Sequence, residues 1–383
     1  MTITSRGIGL LAGAALLLLV GFRFGYPELA LLGTAAAIAV GCAAGNAAWR
    51  PRLDVTRVVD PDRVGRGESA TVTLTVRNSA RLRSANLLAE DRCGNRPVPV
   101  PLLRLRPGRD TTVSYPVPTH RRGVITVGPL RITGRDALGL VTVARSHGDA
   151  AQVWVHPRIH PMTATPSGVS RSLDGRVDRV PQGSITFDSL REYVVGDELR
   201  RVHWRTSAKV GELMVKEQLD TSLPRLVVLL DNRAAAYPRP VDGVVETFES
   251  ACEAAASVVV AARREDLPVT LLLVAADPGG EFLDRLAAAE LPPGARGGDG
   301  DPLRAATLRL RQERLGDTLV FLTGPAGRDD LGYLTALRSA YPSVVVGVFG
   351  ADGPTPAAGA GLVVIDAADG AEFAAEWDGV RRW

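Results

Sequence analysis

The sequence predicts a chain in three parts: two N-terminal transmembrane helices, a small β-sandwich, and a C-terminal α/β domain of the doubly wound type. Two long apolar runs without charges come first, and short runs that alternate apolar and polar residues follow them. In the second half of the chain, continuous apolar runs alternate with amphipathic stretches. The length of 383 residues is sufficient for two or three domains.

The composition excludes several classes of protein. Hydrophobic residues make up 45% of the chain and charged residues 23%, which fits neither a disordered chain nor one wholly embedded in a membrane. The formal net charge of +3 is too balanced for an electrostatic nucleic-acid binder. The three cysteines and five histidines show no metal-ligand spacing, so neither a disulfide framework nor a structural zinc site is predicted.

The first 50 residues are predicted to form a transmembrane hairpin. The apolar runs Gly7–Phe22 and Leu29–Trp49 approach the roughly 20 residues that a bilayer core requires, and Pro27 starts the second helix. By the positive-inside rule, both ends face the cytoplasm, so we expect a multi-pass protein of the cell membrane with cytoplasmic soluble domains. A cleaved signal peptide, or a lipoprotein signal at Cys42, would require an unusually late cleavage site. The orientation rests on Arg6 before the first apolar run and on three arginines after the second, Arg50, Arg52 and Arg57.

Residues 53–160 are predicted to form the β-sandwich. Runs such as Thr71–Val76 and Thr112–Val117 alternate apolar and polar residues, and turn residues separate them. Nothing in this part resembles an active site. Residues 161–182 are rich in Pro, Ser, Thr, Gly and Arg, and they predict a linker.

Residues 224–383 are predicted to form the α/β domain, since continuous apolar strands between amphipathic helices indicate a mostly parallel sheet covered on both faces. The predicted strands are Leu226–Leu230, Val269–Val274, Thr318–Leu322, Val344–Phe349 and Leu362–Ile365. The predicted helices are Val241–Arg264, Pro302–Arg314, Leu331–Ala340 and Glu372–Asp378.

Ligands of such sheets bind at the carboxyl ends of the strands, where Asp231 follows the first strand. A Mg²⁺ site that resembles those of the von Willebrand factor A type would need hydroxyl ligands two and four residues further on, since Mg²⁺ prefers oxygen ligands. Arg233 and Ala235 occupy those positions and cannot bind a metal, so Asp231 is only a degenerate metal candidate, interpreted as a cap or a structural remnant. The third strand is followed by Thr323 and Gly324, without an acidic residue.

No phosphate-binding loop of the Rossmann or Walker type occurs, and no cofactor is predicted. The segment Gly324–Gly327 lies between a strand and a helix, where backbone N–H groups can hold an anion. The same pattern is typical of a tight strand–helix turn, which is the favoured interpretation.

The densest group of charged and aromatic residues lies at 183–217, within a separate segment of residues 183–223. Gly196 and Asp197 predict a turn, and Asp197 is expected to cap a short helix that runs through Trp204. Mixed charges around Tyr193 and Trp204 suit either a contact between the α/β domain and the sandwich or a surface that docks a partner.

Both lysines of the chain, Lys209 and Lys216, fall in this segment, whereas arginine is the basic residue everywhere else. Our hypothesis is that these two positions need a compact ammonium group rather than a planar guanidinium.

The residues of this segment resemble the signature of the domain of unknown function 58 family. The matching positions are Phe187, Leu190, Arg191, Tyr193, Gly196, Asp197, Arg200, Trp204, Ser207, Lys209 and Lys216. Residues 135–140 are also similar to the family's Arg-Asp-Pro-Phe-Gly-Leu, with Ala137 and Leu138 in place of Pro and Phe.

The resemblance implies an α/β domain like that of von Willebrand factor A. It also implies a bacterial, membrane-anchored, non-enzymatic adaptor or scaffold that interacts with a MoxR-type AAA+ ATPase, and with a transglutaminase-like membrane protein as a further partner. The implied role is assembly or maintenance of envelope or protein complexes. The alternative is an enzyme of unknown reaction that uses the polar groups of Tyr193, Asp197, His203 and Lys209.

Overall fold

The computed structural model describes residues 2–48, 53–79, 85–106, 108–135, 138–164, 169–172, 177–179, 189–193, 202–217, 219–220, 225–292, 301–355 and 362–380. The chain divides into two units, Met1–Val155 and His156–Trp383.

The first unit begins with a short strand β1 (Thr2–Ile3) and two helices, α1 (Ser5–Phe24) and α2 (Pro27–Ala48). Both helices are long and apolar enough to cross a membrane, which confirms the two predicted apolar helices. The hydroxyl of Thr4 caps α1 by accepting a hydrogen bond from the Gly7 amide, and Gly25 ends α1 in the left-handed conformation with a φ of 74°.

Glycines allow the two helices to pack closely. A Cβ atom added at Gly21 would lie 2.7 Å from the backbone nitrogen of Ala30, and one at Gly33 would lie 2.7 Å from Cγ of Leu18. Small residues at such positions let helix backbones approach each other closely. In a membrane this close packing matters, because the lipid is itself apolar and the hydrophobic effect does little to bring helices together.

Two antiparallel sheets follow the hairpin. The three-stranded sheet has the order β2-β4-β7, and the larger sheet has the order β1-β10-β9-β5-β8-β11-β3 with β6 paired to β5. The strands are β2 (Leu53–Asp60), β3 (Arg63–Gly65), β4 (Thr71–Asn78), β5 (Ala85–Cys93), β6 (Arg96–Leu105), β7 (Asp110–Pro116), β8 (Gly123–Val127), β9 (Leu130–Arg135), β10 (Val141–His147) and β11 (Ala151–His156).

Apolar side chains from both sheets share two buried clusters. Val72 on β4 packs in one cluster with Val153 on β11, and Leu74 on β4 packs in the other with Ile132 on β9. The pattern agrees with the alternation of apolar and polar residues along these strands.

A buried polar group joins the two sheets. The carboxylate of Asp91 on β5 accepts hydrogen bonds from Nη2 of Arg57 at 2.8 Å and from the hydroxyl of Tyr115 at 2.5 Å. Burial is the first cause that raises the pKa of Tyr115, and its hydrogen bond to Asp91 adds to the effect.

The second unit begins with short strands and one short helix. A three-stranded sheet has the order β13-β12-β16, and β14 pairs with β15. The strands β12 and β13 lie within the interval that was predicted as a linker. The elements are β12 (Val169–Ser172), β13 (Val177–Arg179), β14 (Ser189–Glu192), α3 (Trp204–Val210), β15 (Met214–Glu217) and β16 (Leu219–Asp220).

A five-stranded parallel sheet with the order β18-β17-β19-β20-β21 forms the centre of the second unit. Its strands are β17 (Leu226–Leu230), β18 (Val269–Leu273), β19 (Thr318–Thr323), β20 (Ser343–Phe349) and β21 (Leu362–Ala367). Its helices are α4 (Glu246–Arg264), α5 (Phe282–Ala288), α6 (Pro302–Glu313), α7 (Leu331–Thr335) and α8 (Gly370–Gly379).

Helices cover both faces of this sheet, as the continuous apolar strands predict. Leu226, Val228 and Leu230 pack with α4, α5 and α8, whereas Val227 and Leu229 pack with α6 and α7. The helix predicted from Val241 begins only at Glu246, because Val241 and Val244 pair in a tight turn. The short helix α5 was not predicted.

Two histidine–carboxylate pairs hold residues 156–164 against the helices of the second unit. Nε2 of His156 lies 2.8 Å from Oδ1 of Asp284 on α5, and Nε2 of His160 lies 2.9 Å from Oε2 of Glu253 on α4. These four side chains are at most one-fifth exposed. The pairs therefore order a stretch of chain that has no regular secondary structure.

Asp378 on α8 fixes the end of the same stretch. Its carboxylate accepts hydrogen bonds from the amides of Thr163 and Ala164 at 2.9 and 2.8 Å, and Trp377 donates from Nε1 to the carbonyl of Ala164 at 2.8 Å. Burial would raise the pKa of Asp378, but the hydrogen bonds from Ala164 and Thr163 outweigh it and lower this pKa.

We expect Asp378 to contribute stability at neutral pH that is lost on acidification. Because the folded state lowers the pKa of this carboxyl, the contribution is complete above the ordinary aspartate pKa and disappears as the pH falls through the lowered value. The urea midpoint of the wild-type chain should exceed that of Asp378→Asn at neutral pH, and the difference should shrink below about pH 4. Fluorescence of the buried Trp377 reports the transition.

The exposed Asp352 provides the control, since Asp352→Asn should follow the wild-type curve at every pH. A difference between wild type and Asp378→Asn that stays constant down to the acid limit would contradict this account.

Candidate functional site

The carboxyl edge of the parallel sheet is the first candidate site. The chain leaves β17 toward β18 on one side, while β19, β20 and β21 lie on the other side, so the order reverses between β17 and β19. Crevices for ligands form at such switch points. Asp231 follows β17 and Thr323 ends β19, which places both residues at this point.

A single guanidinium occupies the centre of this edge. Arg233 donates from Nε to Oδ1 of Asp231 at 2.9 Å and from Nη2 to its Oδ2 at 2.8 Å. The same side chain donates from Nη2 to Asp330 at 2.9 Å and from Nη1 to Asp301 at 3.2 Å. The hydroxyl of Thr323 donates to Oδ2 of Asp231 at 2.8 Å. We call these five residues the carboxyl-edge cluster.

The cluster joins one buried guanidinium to three carboxylates, two of which are fully buried. Arg233 is 4% exposed, and its partners Asp231 and Asp301 are at most 1% exposed as side chains. Burial opposes the charged form of the guanidinium, but the hydrogen bonds and charges of Asp231 and Asp330 outweigh burial and raise the pKa of Arg233. The arginine therefore stays protonated and contacts all three carboxylates.

Three loops bring the carboxylates together. Asp231 lies immediately after β17, Asp301 caps α6 by accepting a hydrogen bond from the Leu303 amide at 3.0 Å, and Asp330 precedes α7. Sequence reasoning identified Asp231 and Arg233 but missed Asp301 and Asp330. The proline after Asp301 marks a helix start, but nothing in the sequence signals that the four residues converge.

The cluster does not fit a divalent metal. The oxygen atoms of Asp231 that would bind a cation already accept hydrogen bonds from the guanidinium of Arg233, and Ala235 offers no ligand. Among the described residues, no group of three His, Cys, Asp or Glu side chains is arranged to hold a metal ion. The positive charge at this edge is that of the Arg233 side chain.

The turn after β19 is closely packed. A Cβ atom at Gly324 would lie 2.4 Å from the carbonyl oxygen of Ala236, and one at Gly327 would lie 1.9 Å from Oγ1 of Thr323. These contacts support the interpretation of Gly324–Gly327 as a tight strand–helix turn.

A largely apolar cavity of about 670 Å³ adjoins the cluster. Leu229, Val274 and Ala306 contribute apolar walls, and Arg233 and Arg309 contribute its cationic groups. A cavity of this volume can accept side chains of another molecule.

The second candidate site is the signature hairpin, which we define as β14, α3 and β15. In the pairing of β14 with β15, Leu190 lies opposite Lys216 and Arg191 lies opposite Val215. The amide of Tyr193 extends this pairing by donating to the carbonyl of Leu213 at 2.7 Å.

The sequence predicted a short helix that Asp197 caps and that runs through Trp204. Helix α3 instead begins at Trp204, so that prediction is wrong. Val202 pairs with Val215 as extended chain, and His203 caps α3 by accepting at Nδ1 from the Thr206 amide at 3.3 Å. Because residue 202 is held in a β-bridge, the helix cannot pass from Asp197 through Trp204.

Ser207 ties α3 to β15. Its buried hydroxyl donates to the carbonyl of His203 at 3.1 Å and accepts from the amide of Met214 at 2.8 Å. The hydroxyl is therefore fully used in joining the helix to the strand.

Apolar and charged side chains are exposed on the signature hairpin, and Arg205 and Lys209 of α3 are among the charged ones. Trp204 is 64% exposed, Val210 57% and Leu213 41%. The hydrogen bond to Glu192 and the charge of Glu192 raise the pKa of Glu212, so the two carboxyl groups are in contact. We call Trp204, Val210, Leu213, Glu192 and Glu212 the signature surface.

The remaining signature residues are only partly accounted for. Lys209 lies in the last turn of α3 and is exposed. The structure describes the backbone but not the side chains of Leu190, Arg191 and Lys216. Phe187, Gly196, Asp197 and Arg200 lie outside the described residues.

Comparison with known proteins adds one informative match. A family model described as "Protein of unknown function DUF58" matches residues 189–280, which include the signature hairpin and the strands β17 and β18. The chain has no significant match among curated proteins.

Solved structures resemble the chain weakly. The CARDB domain of a Pyrococcus furiosus protein, in complex with di-metal ions, shares 16% identity over 27% of this chain and 93% of its own, with a TM-score of 0.21. A Niemann-Pick type C2 protein from the Japanese carpenter ant shares 9% identity over 28% of this chain and 95% of its own, with a TM-score of 0.18. Similarities at this level support no inference about fold or function.

We expect Arg233→Ala to destabilise the second unit strongly. Removing the guanidinium leaves three carboxylates close together at a buried edge, and breaking a buried ion pair in this way costs about 3–5 kcal/mol. The free energy of unfolding, measured by urea denaturation, should fall by that amount.

Arg309→Ala is the matched control, because Arg309 is 64% exposed and its ion pair, with Glu313 one helical turn away, is also exposed. Its loss should change the free energy of unfolding by less than about 1 kcal/mol. Equal effects of the two substitutions would contradict the role assigned to Arg233.

Proposed function

We propose that this chain, whose residues 189–280 match the DUF58 family model, is a membrane-anchored, non-enzymatic adaptor. In this proposal it acts with an AAA+ ATPase of the MoxR type in assembling or maintaining envelope or protein complexes. The ATPase and a transglutaminase-like membrane partner are proposed by family resemblance. The proposed docking site is the signature surface, and the observation that supports it is the exposed side chain of Trp204.

The proposed anchor is the α1–α2 hairpin, with both ends in the cytoplasm. The two helices have the length and hydropathy of membrane spans. Arg6 before α1 and the arginines after α2 support a cytoplasmic location of both ends. The hairpin would thus hold the adaptor at the inner surface of the cell membrane.

We assign the first unit to a β-sandwich and the second to a domain like that of von Willebrand factor A. The clusters shared by the two antiparallel sheets support the sandwich. The parallel order β18-β17-β19-β20-β21, with Asp231 after β17, supports the second assignment. Arg233 in place of a hydroxyl ligand distinguishes this domain from a metal-dependent one.

The signature surface has the properties of a docking site. Exposed Trp204 and Leu213 lie on elements that hydrogen bonds hold in place, so a partner would bind them without ordering the backbone first. Tryptophan in particular is enriched among residues that dominate binding energy. Exposed Arg205, Lys209 and Glu212 give the hairpin charges of both signs, which suit a partner with a polar rim around an apolar centre.

The polar side chains of the described signature residues favour this role over catalysis. The Ser207 hydroxyl bonds to backbone groups of His203 and Met214, and the ring of His203 caps a helix. Nδ1 of His203 also lies 2.7 Å from the hydroxyl of Thr206, within the same helix cap. These hydrogen bonds keep α3 and β15 in register.

Binding of the full chain in lipid nanodiscs to the purified MoxR-type ATPase tests the proposal. Trp204→Ala and Leu213→Ala should each weaken the measured affinity by about tenfold or more, as expected for central residues of an interface. Affinity is measured with and without ATP, since the partner is a nucleotide-dependent machine.

Leu308→Ala on α6 and Tyr333→Ala on α7 are matched controls, because these side chains are 42% and 38% exposed outside the signature surface. They should bind as the wild type does. Wild-type chain that does not bind the ATPase in either nucleotide state would refute the adaptor proposal. Normal binding by both signature variants would instead exclude the signature surface as the docking site.

A further inference from the structure

The junction between the hairpin and the larger sheet of the first unit contains exposed apolar side chains with no assigned role. We define the junction as strand β1 together with residues 138–140 of the loop that connects β9 to β10. The loop belongs to the second motif of the sequence, which the adaptor proposal leaves unexplained.

The loop is fixed to the start of α1. Thr4 donates from its amide to the carbonyl of Leu140 at 3.0 Å and from its hydroxyl to the carbonyl of Gly139 at 2.7 Å. A Cβ atom at Gly7 would lie 2.3 Å from the same Leu140 oxygen, so only glycine permits this approach. The loop and the first turn of α1 therefore move together.

The larger sheet of the first unit also contacts α2, at positions before the end of that helix. Val40 and Ala43 pack with Leu140, Val141 and Val143 in one buried cluster. Val40 precedes the end of α2 at Ala48 by eight residues, which corresponds to about 12 Å of helix. On α1, Leu10 packs on the same cluster, about 8 Å from the first residue of the helix.

The start of α1 places the junction at the boundary of the hydrocarbon. Helix α1 has 20 residues and helix α2 has 22, so each is about as long as the roughly 30 Å hydrocarbon core. The hydrogen bonds from Thr4, the residue before α1, to Gly139 and Leu140 therefore lie at the end of this span, at the lipid interface, whereas Leu10 and Val40 lie about 8–12 Å further along the helices.

The apolar side chains of the junction point outward at this level. Leu138 is 61% exposed and Ile3 is 46% exposed, although both lie next to the groups that fix the junction to the helices. Arg6, exposed in the first turn of α1, supplies a cation at the height where phosphates lie.

We propose that the junction is a second membrane contact, in which Leu138 and Ile3 insert into the interfacial layer of the bilayer that the hairpin crosses. The partner of this surface is lipid, because the surface is continuous with the two spanning helices. The first unit is then held against the membrane at two places rather than carried on a flexible tether. The inference rests on the proposed membrane location of the hairpin.

Site-directed spin labelling of the full chain in liposomes tests the inference. A nitroxide is attached to Leu138→Cys or Ile3→Cys in a Cys42→Ser background, and its accessibility to oxygen is compared with that to a polar nickel chelate. Cys93 and Cys252 are buried and do not compete for the label, and burial raises the pKa of the Cys93 thiol.

Two reference positions calibrate the result. Leu19→Cys, 66% exposed on α1, marks lipid, and Ser114→Cys, exposed on β7, marks water. We expect the labels at 138 and 3 to favour oxygen over nickel, as the label at 19 does. Labels at 138 and 3 that behave like the label at 114, while 19 remains in lipid, would overturn the inference and leave the anchor intact. An aqueous label at 19 would refute the membrane anchor itself, and the inference with it.

Discussion

The second unit depends on a guanidinium buried among carboxylates. Arg233 contacts the loop after β17, the start of α6 and the residue before α7, so one side chain fixes three connections at the carboxyl edge of the parallel sheet. A buried carboxylate without a counter-charge is strongly unfavourable. Arg233 is a counter-charge that all three acidic residues share. The arrangement of this edge follows from that electrostatic requirement.

Much of the architecture could be predicted because buried strands and membrane-length helices require apolar residues in recognisable patterns. Strands such as Leu226–Leu230, buried on both faces, are continuous apolar runs, and the two apolar helices are recognised by length alone. The start of α4 was predicted less well, since Val241 is apolar but belongs to a turn. Local pattern cannot tell a residue that continues a helix from one that pairs across a turn.

The candidate sites show where sequence reasoning ends. Arg233 was recognised as the residue that excludes a metal, but its partners Asp301 and Asp330 are 68 and 97 residues away, and no spacing rule joins them. In the signature hairpin, Asp197 is a better capping residue than His203 by type, yet His203 caps α3. The β-bridge between Val202 and Val215 decides the outcome, and that pairing is a tertiary contact.

The cation of the carboxyl-edge cluster is the side chain of Arg233, and this limits the ways in which the cluster can be regulated. A bound Mg²⁺ exchanges with solution, so an edge built on it changes with chelation or with the cell's ion supply. Arg233 cannot dissociate, and its charge persists across the physiological pH range. This edge therefore keeps its cation under conditions that would remove a bound metal ion, such as chelation.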